Sequence, residues 1–147
     1  MVILSVDYGE SRTGIAVCDA TEMLASPVCV INEKSRTKLI AAISDLAKAR
    51  KAGLILVGLP LNMDASHGSR AEKSRQFAQL LEQHSGIQTQ LWDERLTSVS
   101  ANAQLSAAGI RGEKRKEKID AVAAAMLLDD YIRYRKNRAE SRPVAGE

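Results

Sequence analysis

The strongest constraint on this chain is that its first three apolar runs lie too close together to be joined by anything but hairpins. Val2–Val6, Gly14–Cys18 and Ala25–Ile31 are short β-type runs, and the connections between them carry Gly9, then Asp19 and Thr21. A parallel return needs a crossover of roughly a dozen residues or more, so these three strands pair antiparallel. After Ile31 the period changes. Leu39, Ile40, Ile43, Leu46 and Ala47 recur at helical spacing, with Gly53 placed to cap that helix in a left-handed conformation. Leu54–Val57 is wholly apolar, as a central parallel strand would be.

A loop from Gly58 to Gly68 leads to a second predicted helix, about Ser69 to His84, with Phe77, Leu80 and Leu81 inward and Gly86 closing it. Ile87–Trp92 reads as the fifth strand. Two helices follow, about Ser98–Ala108 and about Lys118–Arg135, joined by a basic loop over 110–117. The order β-β-β-α-β-α-β-α-α makes a five-stranded mixed α/β sheet flanked by helices, which is the ribonuclease H-like arrangement. A chain of 147 residues, 45% apolar, suits one such domain, over 1–136. The polar segment 137–147, with Pro143 and Gly146, is expected to be a disordered tail.

Charge is unevenly spread. Residues 109–142 carry ten Lys/Arg against six Asp/Glu, and the rest of the chain eleven against twelve, so the whole basic excess falls in the last quarter. This is the footprint expected of a nucleic-acid contact, although solvated helix ends look similar. Aromatics at 3% argue against a base-stacking platform. Cys18 and Cys29 lack metal-ligand spacing and are expected to be buried, reduced thiols. With no signal peptide and no membrane-length apolar run, the expectation is a cytoplasmic protein without a membrane partner.

Three carboxylates stand out by position. Asp7 ends the first strand and precedes Gly9, so it points into the crevice at the sheet edge. Glu94 lies just beyond the fifth strand, in Trp92-Asp93-Glu94-Arg95. Asp120, placed in the first turn of the last helix, shares a face with Ala123, Ala124 and Leu127, where an acid is costly unless paired or metal-bound. Hard cations such as Mg²⁺ or Mn²⁺ take oxygen ligands, and a pair of them activates water against a phosphodiester. Other readings stay open: Asp7 as a turn cap, Glu94 paired with Arg95, Asp93 in place of Glu94, and Asp120 as an acid favoured by the helix dipole.

Candidate nucleic-acid contacts surround these acids. Arg12 follows the Gly9 turn, and Asn62 and Ser66 lie in a Gly-containing loop whose amides can face a phosphate. Arg70 sits near a helix N-terminus, and Arg95 follows Glu94. Lys114, Arg115 and Lys116 lie in the basic loop leading toward Asp120. Thr97 reads as a helix cap, His84 as a surface residue, and His67 as a residue in the right loop for proton transfer with little else to support that role.

Four motifs extend this reading. Asp7-Tyr8-Gly9-Glu10-Ser11-Arg12-Thr13-Gly14-Ile15-Ala16 resembles the opening of the YqgF family, a group of Holliday-junction-resolvase-like nucleases also implicated in maturing the 5′ end of 16S rRNA. Val57-Gly58-Leu59-Pro60-Leu61-Asn62-Met63-Asp64, Asp93-Glu94-Arg95-Leu96-Thr97-Ser98 and Lys118-Ile119-Asp120-Ala121-Val122-Ala123-Ala124 are similar to its later motifs, in the same order. The resemblance implies catalytic, metal-binding carboxylates at Asp7, Glu94 and Asp120, a divalent metal and a bacterial cytoplasmic setting. Two positions depart from the pattern. Ala65 stands where the family has Gly, and Ala123 stands where related resolvases offer a fourth acid, which thins the metal shell.

The function expected is therefore a metal-dependent nuclease on structured nucleic acid, processing the 5′ end of pre-16S rRNA. The alternatives are a Holliday-junction-resolvase-like DNA endonuclease, as monomer or homodimer, and a factor binding RNA on ribosomal particles without strong catalysis. A nucleotide-hydrolysing relative of actin and the sugar kinases would need a duplicated domain, and this chain has room for one copy.

Overall fold

In this computed structural model the structure describes residues 1–19, 24–60, 68–94 and 112–141, with side chains from 120 to 137 in the last segment. The elements are β1 (Ile3–Asp7), β2 (Arg12–Cys18), β3 (Ala25–Asn32), α1 (Arg36–Ala49), β4 (Leu54–Leu59), α2 (Ser69–Ser85), β5 (Thr89–Asp93) and α3 (Gly112–Ser141). The strands form one sheet in the order β3-β2-β1-β4-β5. β1–β2 and β2–β3 are antiparallel, and β1–β4 and β4–β5 are parallel. This is the mixed sheet expected from the hairpin and crossover lengths.

Side-chain alternation divides the core into two layers. Leu4 and Val6 of β1, with Ile15, Ile55 and Val57, pack with Leu39, Ile43, Phe77 and Leu81 of α1 and α2. Ile3, Ala16, Leu54, Leu56 and Trp92 pack on the other face with Ala124, Ala125, Leu128 and Ile132 of α3. Asp7 keeps step with Ile3, so it belongs to the α3 face.

Several boundaries differ from expectation. The last helix begins at Gly112, so Lys114, Arg115 and Lys116 lie in its opening turns and not in a loop. Glu, Lys and Arg are good helix formers, and no proline interrupts 112–141. The same helix continues to Ser141, past the 136 boundary expected for the domain. The predicted helix over 98–108 lies outside the described residues. Gly53 does not cap α1; Lys51 takes the left-handed conformation (φ 58°), and the Gly53 amide donates to the Val2 carbonyl. Leu80 is exposed because the buried stripe of α2 runs through Ser74, Phe77, Ala78 and Leu81. Cys18 is buried as expected, but Cys29 is exposed on the edge strand β3.

One contact fixes the α3 layer. A Cβ on Gly14 would collide with the Asp120 carbonyl, and would lie 2.9 Å from the Ala121 nitrogen. The helix backbone rests directly on β2 at the point where β2 has no side chain. Gly14→Ala should therefore push α3 outward and cost about 1–3 kcal/mol, as overpacking does. Denaturant unfolding would measure it, and a change under about 0.5 kcal/mol would mean that the helix is not seated there.

Candidate active site

Asp7 is the last residue of β1 and pairs directly with Gly14 on β2. On its other side Val6 is level with Val57, which brings Gly58 alongside Asp7. The central acid is thus flanked by two glycines, and each admits one further carboxylate. Over Gly14 lies the backbone of Asp120. Over Gly58 lies Glu94, whose Oε1 would be 2.6 Å from a Cβ placed there, with Leu127 Cδ1 at 3.0 Å.

Alternation also separates the two acids of the β5 end. Trp92 is buried in the α3 layer, so Asp93 falls on the opposite face of the strand. Glu94 is the residue that turns in over Gly58.

The charges are crowded. Burial first, then the charge and hydrogen bond of Glu94, then the charge of Asp120, raise the Asp7 pKa to about 8, with Arg70 pulling the other way. Burial also raises Glu94, while the hydrogen bond from Asp7 and the Arg70 charge lower it. Asp7 and Glu94 are hydrogen-bonded to each other, and burial beside a second acid favours the protonated form of Asp7. Asp120 is raised by burial and lowered by Arg12, whose Nε stands 3.4 Å from Oδ2. Oδ2 is buried without a hydrogen-bond partner among the described residues.

Asp120 is the ninth residue of α3. The dipole of a helix end, which fades within a turn, does not account for an acid so far inside. Of the expected contacts, Arg70 acts on both Asp7 and Glu94, and Arg12 is engaged by Asp120. Asn62, Ser66, His67 and Arg95 lie outside the described residues, as do the side chains of Lys114, Arg115 and Lys116. Gly14 and Gly58 carry the site geometry, and sequence reasoning missed that role. The signal was present in the Asp7-to-Gly14 hairpin, but only the register makes it legible.

A sheet in this order, with an acid at the end of β1 and others brought to it from β5 and the last helix, defines a ribonuclease H-like protein. The RuvX family, described as Holliday junction resolvase, matches residues 1–134, and the chain belongs to it. A relative from Agathobacter rectalis named "Putative pre-16S rRNA nuclease" is 37% identical over 140 residues, covering 93% of this chain and 98% of its own. Among solved structures, the yeast mitochondrial Holliday junction resolvase superposes with a TM-score of 0.65 at 12% identity, covering 95% of this chain and 81% of the other. RuvC from T. thermophilus in complex with a Holliday junction substrate gives 0.60 at 13% identity, covering 91% and 96%. These two likenesses speak to the fold.

The raised Asp7 pKa makes stability depend on pH. Between the unfolded value of 3.8 and the folded value of about 8, the folded chain holds a proton that the unfolded chain has released. This stabilisation is complete below pH 3.8 and is lost as pH rises toward 8. In chelator, Asp7→Asn should remove that loss and melt several degrees above wild type at pH 8, about 2–4 °C per kcal/mol for a domain of this size. Identical melting profiles from pH 4 to 8 would show that Asp7 is not buried against its neighbours.

Proposed function

We propose that this chain is a metal-dependent nuclease that hydrolyses phosphodiester bonds in structured nucleic acid, and that its substrate is the 5′ end of pre-16S rRNA. The observation that carries the proposal is the convergence of Asp7 and Glu94 into one hydrogen-bonded pair, with Glu94 over Gly58 and the Asp120 backbone over Gly14. The pre-16S substrate rests on the name carried by the 37%-identical relative.

The donor set fits a hard divalent cation, Mg²⁺ or Mn²⁺. Three carboxylates offer oxygen ligands, one pair holds a proton that a cation would displace, and Asp120 Oδ2 is a buried acceptor awaiting a donor or an ion. Among the described residues no three ligating side chains already stand at coordinating distance, so binding would draw them together. Asp7, Glu94 and Asp120 would hold the ion, which when bound supplies an acidified water and a positive charge beside the phosphate oxygens.

The protein's own groups do the remaining work. Water oxygen bonds to phosphorus, the bond to the leaving oxygen breaks, and the proton from water goes to that oxygen. Arg70 offsets the charge of Asp7 and Glu94 at the mouth of the site. Arg12 holds Asp120 in place. Arg12, Arg70, Asn62, Ser66, Arg95, Lys114, Arg115 and Lys116 are the proposed nucleic-acid contacts. No described helix is long and apolar enough to cross a membrane, in keeping with a proposed cytoplasmic role on ribosomal particles.

A second reading, cleavage of branched DNA, is favoured by the family's description as Holliday junction resolvase. Metal-dependent cleavage of a pre-16S rRNA fragment and a four-way DNA junction, assayed side by side, separates the two. Asp7→Asn and Asp120→Asn should lose at least about 10²-fold in rate on the true substrate, roughly 2.7 kcal/mol of barrier, while remaining folded. Full turnover in Asp7→Asn would refute the catalytic role assigned to Asp7. RNA binding by wild type without cleavage of either probe would leave a non-catalytic factor.

The basic start of α3 has its own test. Lys114→Ala, Arg115→Ala and Lys116→Ala combined should lower the slope of log affinity against log salt by about 0.7–0.9 per lost phosphate contact. An unchanged slope would make these residues a solvated helix end.

A further inference from the structure

A second basic surface lies on the other side of the sheet from α3. Two adjoining cavities, about 670 Å³ and 320 Å³, share Tyr8, Glu10 and Lys73 in their walls. The larger extends to Lys34, just before α1, and to Arg36, the first residue of α1. The smaller extends to Gly9 and Arg70, and Arg70 is the cation acting on Asp7 and Glu94. One end of the groove thus carries a cation whose charge is felt at Asp7 and Glu94. Four cations line it, Lys34, Arg36, Arg70 and Lys73, against one acid, Glu10. Its wall is firm, because the Tyr8 ring stacks on buried Phe77 at 4.1 Å and 7°.

We propose that this groove seats the sugar–phosphate backbone of the substrate beside the scissile phosphate, and that the Glu10 carboxylate occupies a phosphate position until substrate displaces it. The inference rests on the nuclease reading and adds a binding track to it. Glu10 accepts a 2.7 Å hydrogen bond from Lys73 Nζ. Both side chains are largely exposed, 74% and 54%, and exposed pairs of this kind are weak and readily exchanged. A phosphate oxygen offers Lys73 the same charge-assisted bond with more negative charge nearby. Arg70 and Lys73 are three residues apart on one helix face, so they present neighbouring cations to successive parts of a strand.

Binding of the full-length chain to a labelled pre-16S rRNA fragment and to a four-way DNA junction, in chelator over a salt series, tests this. Lys34→Ala with Arg36→Ala should reduce the salt slope by about 1.4–1.8 and the affinity roughly 10-fold or more at 0.1 M salt. Glu10→Gln should tighten binding several-fold by removing the competing carboxylate. A loss confined to one probe still supports the groove and identifies which nucleic acid it takes. A double variant that melts and binds like wild type, on a probe that wild type binds and cleaves, overturns the groove alone. A Glu10→Gln protein that binds no more tightly overturns the displacement. Wild-type protein that neither binds nor cleaves either probe overturns the nuclease reading, and the groove with it.

Discussion

The seating of the α3 backbone on Gly14 is the contact on which the rest of the site depends. Asp120 can approach Asp7 only because the strand between them lacks a side chain where the helix crosses. Gly58 does the same on the other flank for Glu94. The small residues Ala121, Ala124 and Ala125 hold the helix close to the sheet from that point onward. Together they form a sheet edge with one carboxylate in the centre strand and an opening on each side of it.

That arrangement is electrostatically costly. Three partly buried acids each have their pKa raised, burial is the leading cause in every case, and Asp7 also feels the charge of the other two. Two arginines offset part of this cost, Arg70 through its charge on Asp7 and Glu94, and Arg12 beside Asp120. Neither is as good a partner as a doubly charged ion, and Asp120 Oδ2 is left without a hydrogen bond among the described residues. Clusters that oppose folding in this way are found where function requires them.

Much of this was legible from the chain, and what was not shares one cause. Strand order and the candidate acids Asp7, Glu94 and Asp120 follow from run lengths, periodicity and position. What local patterns could not show were properties of register and three-dimensional neighbourhood. Gly14 and Gly58 look like ordinary strand glycines until Asp7 is placed between them. Asp93 and Glu94 cannot be ranked until Trp92 is known to face α3. A dense run of charges before Asp120 reads as a loop, although such residues favour helix and α3 begins there. Hydrophobicity alone points Leu80 and Cys29 inward, but one lies off the buried stripe of α2 and the other on an edge strand.

Charge placement shows the same limit and completes the argument about substrate. Counted along the chain, the basic excess belongs to the last quarter, which points only to α3. In space, Lys34, Arg36, Arg70 and Lys73 gather from three elements into a groove on the α1/α2 side, where no sequence window would have found them. α3, whose opening turns contain Lys114, Arg115 and Lys116, packs on the opposite face through Ala124, Leu128 and Ile132. The acids sit at the sheet edge between the two layers, where their own negative charge repels a polyanion. Cations standing beside the acids draw a phosphate toward such a site. A net charge of +3 is modest, but its division between two flanks around an acidic centre is the distribution that a nuclease of this kind requires.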